Sequence, residues 1–278
     1  MPARPSQLDA LPYLREISLL REKVPSFDQY PFSLPAVRSL HTLTFHPSVT
    51  FLVGENGTGK STLLEAIAQL LRFNAEGGSR NVRFATRDTT SDLHKYLKMV
   101  RSFKMPADGY FLRAESFYNV ASYIDEVEVE GSYGGKSLHA QSHGEAFLAL
   151  LTQRFRGNGI YLLDEPEAAL SPSRQLATLA IIHQLVQANS QFIIATHSPI
   201  LLAYPQAKIV LLDEDGMHET AYEDTDHYRV TRDFLAQRER MLQVLLEDEG
   251  EYPLARKHFC HFEPPICVEG IFKKTRRG

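Results

Sequence analysis

The sequence predicts an α/β fold in which helices cover both faces of a mostly parallel central sheet. Four apolar runs of strand length, at residues 49–53, 160–164, 191–196 and 208–213, carry this prediction. The later runs do not alternate between apolar and polar residues, which is typical of strands buried on both faces of a parallel sheet. Helical patterns separate the runs, and strands that alternate with helices indicate a doubly wound sheet.

Two helices are predicted between these strands. The first follows residues 49–53, where apolar residues recur at helical spacing: Leu63, Leu64, Ile67, Leu70 and Leu71. The second begins at Ser171-Pro172, because serine is a preferred N-cap and proline is favoured at the first helical position. Its inward face is predicted to carry Leu176, Leu179, Ile182, Leu185 and Val186. Residues 225–246 are amphipathic and charged, which indicates closing helices.

With 278 residues, the chain is long enough for one large α/β domain or two small ones. We expect a single domain and divide it into four stretches. Residues 1–71 are read as a β-rich, antiparallel region that ends in the strand and helix at residues 49–71. Residues 72–152 are read as an inserted α-helical subdomain followed by one further helix. Residues 72–140 are more polar, and a helix is expected around Ser91 to Val100. Residues 153–248 complete the α/β lobe, and residues 249–278 form a tail.

The composition limits the kinds of partner. The 30 basic and 34 acidic residues nearly balance, so net charge does not support nucleic acid as a partner, although a local basic groove would allow it. Two cysteines give no disulfide framework, which fits a reducing cytosol. No apolar run approaches the roughly 18 residues of a membrane span, and the N-terminal residues lack the apolar stretch of a signal peptide. We expect a cytoplasmic protein with no transmembrane segment.

The tail contains four residues of metal-ligand type, His258, Cys260, His261 and Cys267. No C-x-x-C pair accompanies them, which zinc sites of this composition usually have. We therefore expect an extended tail there, with a zinc site as the alternative.

A phosphate-binding loop is predicted directly after the first strand. The motif G-x-x-x-x-G-K-[ST] occupies Gly54, Glu55, Asn56, Gly57, Thr58, Gly59, Lys60, Ser61 and Thr62. Glycines let successive backbone N–H groups converge on phosphate oxygens. Lys60 would reach the β- and γ-phosphates and the Ser61 hydroxyl would bind Mg²⁺. The flanking strand and helix are the structural context that this motif requires.

Polar residues follow two further strands at the edge where ligands collect in parallel sheets. Asp164 ends the run YLLD and would hold Mg²⁺ through water, while Glu165 could orient or deprotonate an attacking water. His197 follows the strand at 191–196, where its imidazole could donate a hydrogen bond to a γ-phosphate. Alternatively, Asp164 and Glu165 are ordinary acidic residues of a turn, and His197 is a polar residue whose hydrogen bonds are made within the protein.

The segment QSHGE at 141–145 precedes an apolar helical pattern. Ser142 and Glu145 form a capping box, which by itself explains the pattern. A helix N-terminus is also an anion site, so His143 and Gly144 could face a phosphate as well. The two interpretations are compatible.

These elements, in this order, resemble those of ATP-binding-cassette (ABC) ATPases. GENGTGKS matches the Walker A motif, YLLDE the Walker B motif, AALS (168–171) the D-loop and THS the H-loop, while QSHGE occupies the signature position. The resemblance covers roughly residues 40–213. It implies a head-to-tail homodimer with ATP bound between the P-loop of one subunit and the signature helix of the other. Ser142 and Gly144 would then act in trans, and Glu165, His197 and Lys60 would serve hydrolysis.

Departures from the family pattern narrow the choice of subfamily. The transporter signature is typically L-S-G-G-Q, whereas Gln141, His143 and Glu145 stand here. A terminal glutamate is similar to the heads of chromosome-maintenance and DNA-repair ATPases. No glutamine lies between Gln69 and Gln141, so Glu115 is our candidate for the Q-loop position. Without sustained heptads, the chain resembles the small, stand-alone predicted ATPases of bacteria.

For the adenine base, the resemblance suggests an aromatic residue upstream of Walker A, and Tyr30, Phe32 and Tyr13 are the candidates. Each could equally belong to the core. We expect an ATPase whose dimerisation switches or drives an unidentified protein partner, in DNA maintenance or defence. The alternatives are the nucleotide-binding subunit of a membrane transporter and a slow ATP-sensing clamp.

Overall fold

The structure is a computed structural model, and it describes residues 11–75, 77–79, 91–113 and 143–246, with only the backbone of His143. The chain divides after Thr220 into two compact units. The larger unit contains the central sheet and all of the predicted strands.

Seven strands of the described residues form this sheet. In spatial order they are β10 (Gly216–Thr220), β9 (Lys208–Asp213), β3 (Val49–Gly54), β8 (Gln191–Ala195), β7 (Gly159–Asp164), β6 (Asp108–Arg113) and β4 (Gly78–Ser79). The strands from β9 to β6 are parallel, and both edge strands pair antiparallel. The mostly parallel sheet of the sequence prediction is confirmed.

The register aligns the carboxyl ends of the parallel strands. Asp164 pairs with Ala195 on one side and with Arg113 on the other. Gly54 pairs with Leu212, at the same edge of the sheet. Because ligands bind outside the carboxyl ends of parallel strands, this alignment places the predicted site residues along one line.

Both faces of the sheet are covered, as the continuous apolar runs indicated. Every residue of β3, β7 and β8 is buried. Alternate residues, such as Leu52, Leu162 and Ile193, belong to a core cluster shared with Leu64 and Ile67 of the helix after the P-loop. The intervening side chains point to the opposite face, where they are also buried. Each such buried side chain contributes about 1.5–3 kcal/mol.

The residues around 91–101 correct one prediction. Instead of a helix over Ser91 to Val100, a short 3-10 helix (Asp92–Tyr96) leads into strand β5 (Leu97–Arg101). This strand pairs antiparallel with β1 (Leu14–Leu19), which also pairs with β2 (Thr42–Thr44). Pairing with a distant strand overrides the local helical pattern, because it buries Leu97 against the core cluster. No α-helix occurs among the described residues of 72–142.

Five α-helices lie in the described part of the larger unit: α1 (Pro35–Arg38), α2 (Lys60–Leu70), α3 (His143–Gln153), α4 (Pro172–Gln187) and α5 (Pro199–Leu202). Helix α4 begins at the predicted residue, although the Ser171 side chain makes no capping hydrogen bond. The predicted inward face is wrong in part, because Leu176 is 59% exposed. Ile182 is buried as predicted, and Gln175 and Thr178 are buried as well. Gln175 is held inside by hydrogen bonds to Leu170 and Ser198.

The second unit contains a 3-10 helix (Tyr222–Asp224), α6 (Asp226–Ala236) and α7 (Arg238–Leu246), which confirms the closing helices. Thr225 caps α6, since its hydroxyl oxygen accepts a hydrogen bond from the Tyr228 backbone N–H. The tail with its histidines and cysteines lies outside the described residues.

Candidate nucleotide-binding site

The P-loop has the backbone geometry that its glycines were expected to provide. Gly54, Gly57 and Gly59 have φ values of 152°, 84° and 101°, which side-chain-bearing residues rarely adopt. A Cβ atom on Gly59 would also lie 3.2 Å from Cβ of Leu34. The Thr58 hydroxyl donates to the Glu55 carbonyl at 2.9 Å and ties the loop across its own turn. This hydrogen bond stabilises the loop conformation that the glycines allow.

Lys60 bridges this loop from inside. Its ammonium donates to the carbonyl oxygens of Gly54 at 2.8 Å and Glu55 at 3.0 Å. The residue is only 4% exposed, and burial lowers the pKa of Lys60, while the carboxylates of Glu165 and Asp164 oppose this change. A buried cation surrounded by carboxylates is well placed to accept the charge of a phosphate.

Ser61 and Asp164 meet beside Lys60. The Ser61 hydroxyl donates to Oδ1 of Asp164 at 3.0 Å, and Asp164 is 5% exposed. A hydroxyl and a carboxylate are the hard oxygen donors that Mg²⁺ prefers. The two residues predicted to hold the metal are therefore together, and their chemistry fits that ion.

Glu165 and His197 lie next to this pair. Glu165 has left-handed backbone angles (φ 49°, ψ 51°), and its N–H donates to the Ala195 carbonyl at 2.9 Å. Its Oε1 lies 3.6 Å from Nε2 of His197. A non-glycine residue in this conformation costs about 1–2 kcal/mol. At Glu165 the chain leaves the direction of strand β7, and the Glu165 carboxylate lies beside the His197 imidazole.

Glu167 belongs to the site, although the sequence reasoning missed it. Its carboxylate accepts hydrogen bonds from the Thr196 hydroxyl at 2.7 Å and from the His197 backbone N–H at 2.5 Å. The available signal was a third acidic residue in the run Asp164-Glu165-Pro166-Glu167.

Arg113 and Glu65 form a second group that sequence reasoning missed. Arg113 lies 3.1 Å from Oε2 of Glu65 and 3.5 Å from Oδ2 of Asp164. Burial raises the pKa of Glu65, and the Arg113 charge opposes the rise. Arg113 ends an apolar strand just as Asp164 does, and this similarity was the signal in the sequence.

The segment at the signature position is described only from His143 onward, so Ser142 lies outside the described residues. Gly144 and Glu145 lie in the first turn of α3. A Cβ atom on Gly144 would lie 2.9 Å from the Ala169 carbonyl oxygen and would also collide with Arg174. Arg174 forms an ion pair of 3.2 Å with Glu145. Glycine is therefore required where α3 meets the residues that follow Glu165.

The aromatic candidates for adenine stacking are separated by their burial. Phe32 and Tyr13 are 4% and 3% exposed, so both belong to the core, and Phe32 packs edge-on against Tyr96. Tyr30 is 63% exposed and is the candidate that remains. Glu115, the candidate for the Q-loop position, lies outside the described residues.

Together, the P-loop, the Ser61–Asp164 pair and the carboxylate–histidine pair define the class of P-loop nucleoside triphosphate-binding proteins. Comparison with known proteins agrees. Residues 31–129 match a family described as "AAA domain", and residues 128–203 match one described as "AAA domain, putative AbiEii toxin, Type IV TA system". The chain is similar to proteins of these families and to ATP-binding proteins of the ABC type.

Two curated relatives illustrate the similarity. A "Putative ABC transporter ATP-binding protein" of Bacillus cereus is 27% identical over 220 residues, which are 69% of this chain and 39% of the relative. The energy-coupling factor transporter ATP-binding protein of Methanospirillum hungatei is 24% identical over 227 residues, 73% of this chain and 56% of its own length. The chain thus spans less than two thirds of either relative.

Among solved structures, the SMC head domain from Thermotoga maritima is similar with a TM-score of 0.41 at 15% identity, covering 75% of this chain and 98% of that one. Within the described residues, no helix is long and apolar enough to cross a membrane. The same residues contain no cluster of three or more histidine, cysteine or acidic side chains arranged for a metal ion. A Mg²⁺ here would be bound by the Ser61 hydroxyl and otherwise by phosphate and water, with one of the waters held by Asp164.

Proposed function

We propose that this protein binds and hydrolyses ATP, and that two copies enclose ATP head to tail in a dimer that switches or drives a partner protein. The observation that carries the proposal is the arrangement at one sheet edge: the Ser61–Asp164 hydrogen bond of 3.0 Å lies beside the Glu165–His197 pair at 3.6 Å. A module that only binds nucleotide needs the first pair but not the second.

Binding uses the loop and its lysine. The N–H groups from Glu55 to Thr62 surround the phosphates, and the Lys60 ammonium moves from its carbonyl acceptors to the β- and γ-phosphates. Ser61 would hold Mg²⁺ directly and Asp164 would hold it through water. When bound, the metal neutralises charge on the phosphate oxygens.

Hydrolysis uses the second pair. Glu165 orients a water and accepts its proton, and its carboxylate is 38% exposed, so water can reach it. His197 donates a hydrogen bond to the γ-phosphate. Phosphoryl transfer depends mainly on positioning and charge neutralisation, which these residues supply.

The dimer follows from the family resemblance and from the first turn of α3. Gly144 lets this turn pack against Ala169 and Arg174 of its own chain. A phosphate of a second subunit would approach Ser142 and the free N–H groups at this helix N-terminus. The Glu145 side chain is 56% exposed and forms an ion pair with Arg174, which would hold the Glu145 carboxylate away from an approaching phosphate. ATP would then join the two copies, and hydrolysis would release them.

A hydrolysis assay tests the enzymatic part. Wild type should release phosphate from ATP in the presence of Mg²⁺, and Glu165→Gln should lower kcat by about 10²- to 10⁴-fold with little change in ATP affinity. Glu219→Gln, which changes a 67% exposed glutamate elsewhere, is the matched control and should keep full activity. Absence of turnover in the wild type would favour the ATP-sensing clamp.

The names of the curated relatives favour a second candidate, the nucleotide-binding subunit of a membrane transporter. The transporter function is disfavoured by two departures from the family pattern, the altered signature and the missing glutamine of the Q-loop. The two functions are distinguished by identifying the proteins that bind to Glu165→Gln in the presence of ATP. Membrane permeases among them would support the transporter subunit, whereas partners without membrane spans would support the dimer that switches or drives a partner protein.

A role in DNA maintenance is tested by ATP hydrolysis with and without DNA over a salt series. A phosphate-binding groove should lose affinity steeply as salt rises. Absence of stimulation at every salt concentration would remove this role.

A further inference from the structure

We propose that Glu167 is a positioning residue that fixes the loop carrying His197, so that the imidazole stays beside Glu165. This inference rests on the proposed function, because His197 and Glu165 act together only if the protein hydrolyses ATP. Glu167 would act on the reaction through His197 and would not touch the reacting atoms.

The Glu167 carboxylate accepts two hydrogen bonds from that loop. One oxygen accepts from the His197 backbone N–H at 2.5 Å, and the other accepts from the Thr196 hydroxyl at 2.7 Å. The Thr196 oxygen in turn accepts from the Ser198 backbone N–H at 3.0 Å. One side chain thereby holds three consecutive residues, and Thr196 is fully buried at their centre.

These bonds matter because the strand ends there. Strand β8 ends at Ala195, so the backbone N–H groups that follow need acceptors from elsewhere. Glu167 provides one to His197, and the charge of its carboxylate makes such a bond about twice as strong as a neutral one. The backbone of His197 is therefore placed by Glu167, and the imidazole is placed 3.6 Å from Oε1 of Glu165.

The same contacts argue against a direct chemical role for Glu167. Both of its oxygens already accept hydrogen bonds from protein groups. Glu165 lies two residues earlier and presents a carboxylate that is 38% exposed. Water can thus be activated by Glu165 while Glu167 holds the loop.

The first test is a double-mutant cycle on ATP hydrolysis. Glu167→Ala should lower kcat about 10- to 100-fold while KM for ATP stays within about twofold, because loss of a group that orients another functional side chain has effects of this order. In a His197→Ala background, the same change should cause no further loss, because residues that act through one another are not additive. Glu219→Ala is the control for removal of an exposed carboxylate.

The conservative variant separates geometry from charge. Glu167→Gln can still accept from the His197 N–H with its carbonyl oxygen and donate to the Thr196 oxygen with its amide. It should keep kcat within about fivefold of wild type, well above Glu167→Ala. If Glu167→Gln is as inactive as Glu167→Ala while its amides at residues 196–202 exchange as in wild type, Glu167 acts through its charge on the reaction and the positioning role is wrong.

Hydrogen exchange tests the inference even without turnover. Amides of residues 196–202 should exchange faster in Glu167→Ala than in wild type or Glu219→Ala. Thr196→Val removes the hydrogen bond between the Thr196 hydroxyl and Glu167 but keeps the one from the His197 N–H. It should therefore increase the exchange rate less than Glu167→Ala does, and it replaces that variant if Glu167→Ala does not fold. The positioning role is overturned if hydrogen exchange at residues 196–202 is unchanged in Glu167→Ala, or if the losses of kcat in the double-mutant cycle are additive. If the wild type hydrolyses no ATP but exchange is altered in Glu167→Ala, only the proposed function is overturned.

Discussion

The hydroxyl of Ser61 donates a hydrogen bond of 3.0 Å to Oδ1 of Asp164, and this bond joins the first turn of α2 to the carboxyl end of β7. The two residues are 103 positions apart in the chain. Two oxygen donors are thus aligned by the fold before a metal binds. Because the two donors are already close together, little ordering is needed for Mg²⁺ to bind, and we expect the metal to strengthen ATP binding here.

Removal of the Ser61 hydroxyl should therefore affect the metal more than the nucleotide. We expect Ser61→Ala to raise the Mg²⁺ concentration for half-maximal ATP binding by at least about tenfold, while ATP binding without metal changes little. Thr152→Ala removes an exposed helical hydroxyl elsewhere and is the control. A Mg²⁺ titration of fluorescent ATP-analogue binding measures the effect, and equal curves for Ser61→Ala and wild type would exclude Ser61 as a ligand.

The Arg113–Glu65 pair should contribute to stability. Its side chains are only 18% and 11% exposed, so loss of the guanidinium in Arg113→Met leaves a buried carboxylate uncompensated and should cost about 3 kcal/mol. The double variant with Glu65→Met should recover at least about half of that cost. Lys95→Met breaks a pair that is 60% and 68% exposed and should cost under about 1 kcal/mol. Urea unfolding measures these differences.

The pH dependence of Arg113→Met provides an internal check. Burial raises the pKa of Glu65, and the variant loses the charge that opposes this rise. A carboxyl with a raised folded-state pKa favours folding more as pH falls through that pKa, because the folded state then binds the extra proton. The stability deficit of Arg113→Met should therefore shrink at acidic pH. A constant deficit would mean that Glu65 is not the group left unpaired.

Lys60 should influence stability at alkaline pH. Burial lowers the pKa of Lys60, so the folded protein loses this proton at a lower pH than the unfolded chain. Between the lowered pKa and about 10.4, the unfolded state binds more protons, and the free energy of unfolding should gain a positive contribution as pH rises. Lys60→Met should lack this contribution. The difference between wild type and variant in urea unfolding across that pH range measures it, and parallel curves would contradict the assignment.

Gly144 should matter for the dimer but not for the nucleotide site of its own chain. The added methyl group of Gly144→Ala would meet Arg174 and the Ala169 carbonyl oxygen, so the first turn of α3 must move. We expect ATP binding to the monomer to persist while ATP-dependent dimers are lost. Arg174→Ala in the same chain should relieve only the contact with Arg174. Analytical ultracentrifugation with ATP measures the fraction of dimer. If Gly144→Ala forms dimers as wild type does, Gly144 does not act on the nucleotide of a second subunit.

The sequence predicted the parallel strands well because their apolar runs, such as 160–164, are continuous and end in a polar residue. It failed at 91–100, where pairing with β1 decides the structure and no local pattern shows that partner. It also missed part of the buried face of α4, since Gln175 is buried by two hydrogen bonds that only the tertiary fold provides. Glu167 was missed for the same reason. Its role depends on Thr196 and His197 of another strand end.

The central claim is that ATP joins two copies and that Glu165 releases them. The most direct measurement is the molar mass of Glu165→Gln by light scattering, with ATP and Mg²⁺, with ADP and Mg²⁺, and without nucleotide. The account predicts a dimer with ATP and a monomer in the other two states. A mass that stays that of the monomer in all three states would contradict it.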